Sequence, residues 1–462
     1  MKKILLMLVL TVVFLSSVGM VASKGMESSD FDDPSVCRGC HSDIYDQWDG
    51  SLHSASYTDP LYLKLEEIAS EETDGLTDDY CTKCHTPIGV LSGEVPPIGL
   101  DNPNLGEISK KGISCDFCHS VNGSTGIGNG AFTVSPDGTK RGPHDDSKSP
   151  YHKTEFSDLH TKSEFCGMCH DVSHPVNGHP IETTYTEWKE GPYNTGDPKT
   201  ATYCQDCHMT PGITQFESNP GKSTSMGPER EHIYTHYFVG GNVAVPVLLE
   251  SEVHRKMAED RLKSAAKLKL EVSDAKAGEE AEIKVKVTNI GAGHKLPTGL
   301  TEAREIWIEV IATDSEGKKI FHSGELDENG NVDPGAVMYH TVLADAEGNP
   351  TLKVWKVEST ISDNRISPKE TRIETYHFNI PNDAKSPILI QAKLNYRSAS
   401  QELLDLLLGK DTVVSPVLEM ASQAKEIGAG GVEASETPGF GIILSVLGIV
   451  AAFFFSRGIK SI

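Results

Sequence analysis

The chain has 462 residues, enough for two or three domains, each with a core of its own. Hydrophobic residues make up 37% and aromatics 7%, so the apolar material for several cores is scarce. A formal charge of −24, from 66 acidic against 42 basic residues, argues against nucleic acid as a partner, because phosphate backbones are bound by clustered Lys and Arg.

The N-terminus reads Met1-Lys2-Lys3, then an apolar run from Ile4 to Leu15, then small residues up to Ala22 and Ser23. A basic start, a short apolar stretch and small residues describe a secretory signal peptide over residues 1–23, with an uncleaved anchor as the alternative. Export would place the cysteines in a disulfide-permissive compartment.

All ten cysteines fall into five pentapeptides: Cys37-Arg-Gly-Cys40-His41, Cys81-Thr-Lys-Cys84-His85, Cys115-Asp-Phe-Cys118-His119, Cys166-Gly-Met-Cys169-His170 and Cys204-Gln-Asp-Cys207-His208. C-x-x-C-H is the attachment site of c-type haem. Two thiols one helical turn apart add to the two vinyl groups on one porphyrin edge, and the adjacent His becomes the proximal iron ligand. Zinc sites also use C-x-x-C pairs, but they do not need a His after every second Cys. A disulfide inside C-x-x-C is usually a redox motif, not a staple. The expected cofactors are therefore five covalently bound c-type haems. Residues 30–263, which carry the motifs, lack long apolar runs and read as a mostly α and irregular domain whose core the porphyrins supply. First cysteines are 44, 34, 51 and 38 residues apart, so no strict repeat is present.

The second axial ligand sets potential and reactivity. Thirteen histidines remain beyond the motifs. His53, His236, His152, His294, His160 and His144 are the candidate distal ligands, followed by His174, His179, His232 and His254; Met226 and Met257 are the thioether alternatives. For each His the alternative is a solvated ring or one hydrogen-bonded to a haem propionate. Trp48-x-x-Ser51-x-His53 resembles the cytochrome c554-like multihaem family, where a His in this context ligates a neighbouring haem. The resemblance continues through Phe165 to Asp171, Tyr203 to Met209 and Thr235-His236-Tyr-Phe238-Val-Gly240-Gly241, covering roughly residues 34 to 245. The family includes both pure electron carriers and relatives with a catalytic haem. The C-x-x-C-K site of pentahaem nitrite reductases is missing from this chain.

Beyond Ala266 the pattern alternates. Strands are expected at Lys267–Val272, Glu282–Thr288, Glu305–Ala312, Lys318–His322, Leu352–Val357, Arg372–Ile380 and Ile388–Tyr396, giving an all-β Greek-key, immunoglobulin-like sandwich over residues 266–400. Within it, Gly293-His294-Lys-Leu-Pro297-Thr298-Gly299 resembles a loop of the sandwich that follows the haem domain in many multihaem cytochromes. A His on such a loop is placed either to reach a haem at the domain interface or to brace the turn. His322, His340 and His377 fit structural positions. Residues 401–437 read as a short helix from Gln401 to Gly409 and a flexible tether.

Residues 438–462 hold Pro438-Gly439-Phe440, an apolar run to Ser456, and the basic Arg457 and Lys460. A helix there would reach roughly 27 Å, enough for a bilayer core, with its basic end inside. The order resembles the PGF-CTERM sorting tail of archaeal surface proteins, in which the tail is exchanged for a lipid anchor; an ordinary transmembrane anchor is the alternative.

The leading expectation is an extracellular, membrane-tethered electron carrier with mainly bis-His haems and no catalytic residues. Its partners would be membrane quinone- or phenazine-linked cytochromes and extracellular acceptors. The rivals are an oxidoreductase with one open-coordination haem acting on a small nitrogen or sulfur species, and a self-associating surface-layer or filament subunit.

Overall fold

The computed structural model describes residues 25–410 and 412–428. The signal peptide, the last part of the tether and the sorting tail lie outside the described residues. Among the described residues no helix is long and apolar enough to cross a membrane.

The motif-bearing region is built from short helices joined by turns. The motifs lie on or directly after the helices Pro34–Arg38, Asp78–His85, Cys115–Ser120, Ser163–Gly167 and Cys204–His208. Their starts are written locally. Asp33 accepts the Ser35 N–H at 2.9 Å, and Pro34 takes the first helical position, where its missing N–H costs nothing. Ser114 caps the third motif by accepting the Phe117 N–H. One turn is all the motif requires: the His41 and His170 amides reach back to the carbonyls of Cys37 and Cys166 at 2.9 Å, which gathers both thiols and the imidazole on one side. Two longer helices, Pro60–Thr73 and Glu252–Ala265, brace the region. Three small ladders not anticipated from the sequence satisfy the backbone between motifs, pairing Val121–Ser124 with Phe132–Val134, Thr139–Gly142 with Lys153–Phe156, and Val172–Ser173 with Pro180–Glu182. The apolar clusters here are small; one gathers Phe31, Ile88, Phe117, Val121 and Met168.

The β-rich C-terminal region is different in kind. One antiparallel sheet runs in the order Lys319–Ser323, Glu305–Thr313, Ile388–Arg397, Leu418–Ile427, with Met338–Tyr339 also on Glu305–Thr313. A second runs Thr371–Asn379, Glu280–Asn289, Ala266–Val272. Alternate residues bury Ile283, Val285 and Val287 of one sheet against Ile308, Val310 and Ile390 of the other in a single core.

Two expectations need correction. Leu352–Val357 is not a strand: Val354–Lys356 forms a 3-10 turn, because this segment docks on the haem-motif region, where Trp355 Nε1 donates to Glu72 at 2.9 Å. The tether begins later than expected, since Leu418–Ile427 pairs with Ile388–Arg397 as a full edge strand. The helix at Gln401–Leu408 is present, capped by Ser400, and packs Leu403, Leu404 and Leu407 near Leu61, Leu65 and Ile68 of the long helix Pro60–Thr73.

The two regions are locked together by polar contacts. Glu187, on the helix Thr184–Glu190, accepts from the Lys295 N–H at 3.1 Å and the Thr298 hydroxyl at 2.8 Å, and pairs with Arg365. His174 Nε2 meets the Trp355 carbonyl at 3.0 Å, and Asn177 donates to the Val357 carbonyl at 2.7 Å.

Candidate haem sites

Each motif histidine holds its Nδ1 against an oxygen that can only accept. His41 meets the Ser223 carbonyl at 2.8 Å, His85 that of Ser56 at 2.7 Å, His119 that of Arg141 at 2.6 Å and His208 that of Val239 at 2.9 Å. His170 instead meets the Glu182 carboxylate at 3.2 Å. An acceptor at Nδ1 requires the proton there, leaving the Nε2 lone pair free for a metal. Burial keeps three of these rings neutral: His85 is lowered to about 4, His208 to about 3, and His119 also lies below its ordinary value. His170 departs from this. Burial disfavours its charged form, but the Glu182 carboxylate outweighs it and raises the pKa.

Three further imidazoles face motif histidines. Two imidazoles bonded to one metal at roughly 2 Å each set their ring centres about 6 Å apart. His53 and His170 are 6.2 Å apart between ring centres, His119 and His236 are 6.5 Å apart, and His208 and His294 are 6.5 Å apart. His236 and His294 repeat the proximal pattern, with Nδ1 on the carbonyls of Tyr234 at 3.0 Å and Lys295 at 2.9 Å. Burial lowers His53 to about 3 and His236 to about 4, and lowers His294 as well. Phe238 lies between two of these pairs, 4.6 Å from His53 and 5.4 Å from His236.

Local structure places each of the three. His53 follows the turn after Trp48, whose indole donates to the Ile113 carbonyl at 2.9 Å, while the Ile113 amide donates to the His53 carbonyl at 2.9 Å. The His236 amide is held by Gln47 Oε1 at 2.8 Å. Asn289 stabilises the His294 loop from both sides, donating to the His294 carbonyl at 2.9 Å and accepting the Ala292 N–H at 3.1 Å. Gly299 closes that loop at φ +83°, a left-handed conformation that glycine adopts without penalty.

The motifs also meet one another. The thiols of Cys37 and Cys115, of Cys84 and Cys169, and of Cys166 and Cys204 are neighbours, and Cys118 lies within electrostatic reach of Cys166 and Cys169. The first motif thus adjoins the third, and the fourth adjoins the second, third and fifth. All ten cysteines are unpaired and partly accessible although they lie among buried neighbours. Among the described residues no three His, Cys, Asp or Glu side chains converge to hold a metal directly. Disulfides at the three thiol contacts would strand Cys40, Cys81, Cys118 and Cys207. The donor set fits a c-type haem at each motif: two thiols, one free Nε2, and at three motifs a second imidazole opposite.

A family model described as cytochrome c554 and c-prime matches residues 36–120, the span of the first three motifs. Among solved structures, a penta-heme cytochrome c552 from Thermochromatium tepidum is similar at 21% identity, with a TM-score of 0.62, over 86% of this chain and 99% of that one. Together with the motifs, these matches support a multihaem c-type cytochrome. A CARDB domain from Pyrococcus furiosus, solved in complex with di-metal ions, matches 35% of this chain and 86% of its own at 13% identity and a TM-score of 0.16. The sporulation control protein Spo0M of Bacillus subtilis matches 35% of this chain and 48% of its own at 11% identity and a TM-score of 0.15. At those scores neither carries an argument. No curated protein matches the chain significantly.

The remaining candidates are placed elsewhere. His160 lies 5.8 Å from His119, but its Nε2 is engaged by the Cys118 carbonyl at 3.1 Å and its Nδ1 is buried without a partner. His152 has Nδ1 on the Lys153 carbonyl at 3.0 Å and lines a surface cleft with Thr139 and Glu155. His144 sits beside Arg230 and Asp146, with no ring opposite it among the described residues. His174, His179 and His254 are engaged by Trp355, Thr360 and Gln47, and His232 Nδ1 accepts the Asn219 N–H. Met226 is 61% exposed, and Met257 packs against the sandwich core.

Reading the sequence did not single out Glu182 or the acids near the second motif, because an isolated acid carries no motif. Tyr62 stacks on His85 at 3.7 Å between ring centres and donates to Glu66 Oε1 at 2.8 Å, while Glu66 Oε2 is buried without a partner. Burial pushes Glu66 up to about 7. Its folded value lies above the ordinary 4.5, so its contribution to stability is full below about pH 4.5 and lost as pH rises through about 7. Glu66→Gln should therefore match the wild type near pH 5 and exceed it above pH 7, by up to about 3 kcal/mol. Thermal melts of both proteins across that range test this, and a gap that does not change with pH would refute it.

Proposed function

We propose that this chain is an exported, membrane-tethered cytochrome that holds five c-type haems and carries electrons along them. The contiguity of the five motifs supports this most strongly, since single-electron hopping needs centres in near contact. Bound haem supplies reversible one-electron chemistry, and the protein contributes ligands, burial and hydrogen bonds that tune it. In this reading His41, His85, His119, His170 and His208 are the proximal ligands, and His53, His236 and His294 complete the coordination opposite His170, His119 and His208. Two imidazoles close the iron to side reactions, as a carrier requires. His160, His152 and His144 fill no site in this reading, since none of them faces His41 or His85.

The sandwich, read as immunoglobulin-like, spaces the haem region from the membrane and supplies one ligand. Donors on the membrane side and acceptors outside the cell are the expected partners, reached through a C-terminal transmembrane or lipid anchor. The test is haem stoichiometry and spin state of the mature protein. Five haems per chain are expected, with low-spin ferric signals from at least the three bis-His sites; no Soret band, or a mass equal to that of the polypeptide, would end the reading.

One observation favours a second reading. Among the described residues no imidazole ring stands opposite His41 or His85 at the separation seen in the three pairs, and Tyr62 lies flat on His85. An open iron position there fits an oxidoreductase acting on a small nitrogen or sulfur species. CO binding by the reduced protein separates the two: a carrier leaves the spectrum unchanged, an enzyme shifts one haem.

A further inference from the structure

We propose that Glu182 tunes the fourth haem site, its carboxylate drawing the His170 Nδ1 proton and thereby lowering that haem's reduction potential relative to a site with a carbonyl partner. The inference rests on the five-haem reading above and concerns one residue within it.

Four of the motif histidines donate to neutral backbone carbonyls, and only His170 donates to a carboxylate. An anionic acceptor makes the imidazole more basic and more electron-donating at Nε2. That favours the ferric state, which carries one more positive charge than the ferrous state, and so the potential falls. The Glu182 side chain is 19% exposed and the His170 ring 50%, so the carboxylate is the better shielded of the two. The carboxylate is held for this role. Glu182 ends the short strand Pro180–Glu182, and the Thr184 hydroxyl donates to Oε1 at 3.2 Å. Two donors meet on one carboxylate oxygen, the His170 Nδ1–H and the Thr184 hydroxyl, and such bonds favour the anion.

The position gives the tuning a consequence. The fourth motif adjoins the second, third and fifth, so it is the junction of the cluster. By these contacts, a haem at the fourth motif would lie between the first and third sites and the other two. Each crossing reduces the receiving iron from ferric to ferrous and oxidises the neighbouring haem that supplied the electron, with no proton moved. A junction of lowered potential is occupied only briefly and divides electrons between two exits without storing them.

The experiment is a spectroelectrochemical titration of the haem-loaded protein and its Glu182→Gln variant, with haem stoichiometry measured on both. Gln keeps a carbonyl acceptor and removes the charge. One midpoint is expected to rise by at least the 59 mV that corresponds to a tenfold change in a one-electron equilibrium, with the others little moved, and Glu182→Asp should restore part of the shift. Unchanged midpoints in a fully loaded variant would overturn the proposal. Fewer than five haems in the wild type would instead overturn the reading beneath it. If Glu182→Gln fails to load, Thr184→Val decides. Removing a donor from the carboxylate should lower one midpoint, and no change or a rise counts against the proposal.

Discussion

Replacing His294 by alanine is expected to convert one low-spin haem to a high-spin, CO-binding form and to raise its potential, leaving the other haems as they were. His294 comes from the sandwich, whereas His208 is carried by the helix Cys204–His208, and their rings face each other at 6.5 Å with planes only 17° apart. The Lys295 carbonyl holds the His294 Nδ1 proton, so the free Nε2 is the atom turned to share a metal. Its loss removes one of two strong nitrogen donors, and a thioether in its place raises the potential for the same reason. His294→Met should therefore remain low-spin but titrate at higher potential. EPR and reductive CO titration read both outcomes, and an unchanged low-spin count in His294→Ala would show that the ring only braces its loop. The variant should also unfold more easily, because a ligand that spans two regions contributes its bond energy to their docking.

The second large effect is at the ion pair beneath that loop. Arg365→Ala is expected to destabilise the protein by about 3–5 kcal/mol, because it leaves the Glu187 carboxylate buried without its cation. Glu187 and Arg365 side chains are only 4% and 7% exposed. Glu187→Gln should cost less, on the order of 1–3 kcal/mol, the loss expected for a weakened buried hydrogen-bond set. The asymmetry has a structural cause: Arg365 keeps Asp363 at 2.8 Å when Glu187 is neutralised, whereas Glu187 keeps only hydrogen bonds when Arg365 is gone. Denaturant titration of the haem-loaded proteins measures the difference, and equal losses for the two variants would contradict it. Because Glu187 also accepts from Lys295 and Thr298, both variants should weaken the low-spin signal assigned to the His208–His294 pair.

The site was legible from sequence where its chemistry is local. Two thiols and an imidazole act within one helical turn, so Cys37 to His41 and its four repeats announce themselves in five consecutive residues. Strand alternation served equally well at Glu280–Asn289 and Glu305–Thr313, where one face meets a core. It misled at Leu352–Val357, whose apolar residues dock on the haem-motif region. It was silent at Leu418–Ile427, an edge strand that buries Met420 and Ile427 and leaves most other side chains at least partly open to solvent.

That the chain carries c-type haem attachment motifs, and where along it they stand, follows from neighbours along the chain, because covalent attachment needs only adjacent atoms. Which imidazole faces which, which motifs adjoin, and why Glu182 reaches His170 were decided by folding alone. Those contacts join residues from 12 to more than 100 positions apart, and no local pattern encodes a distance that only the packing of loops, helices and the sandwich brings about.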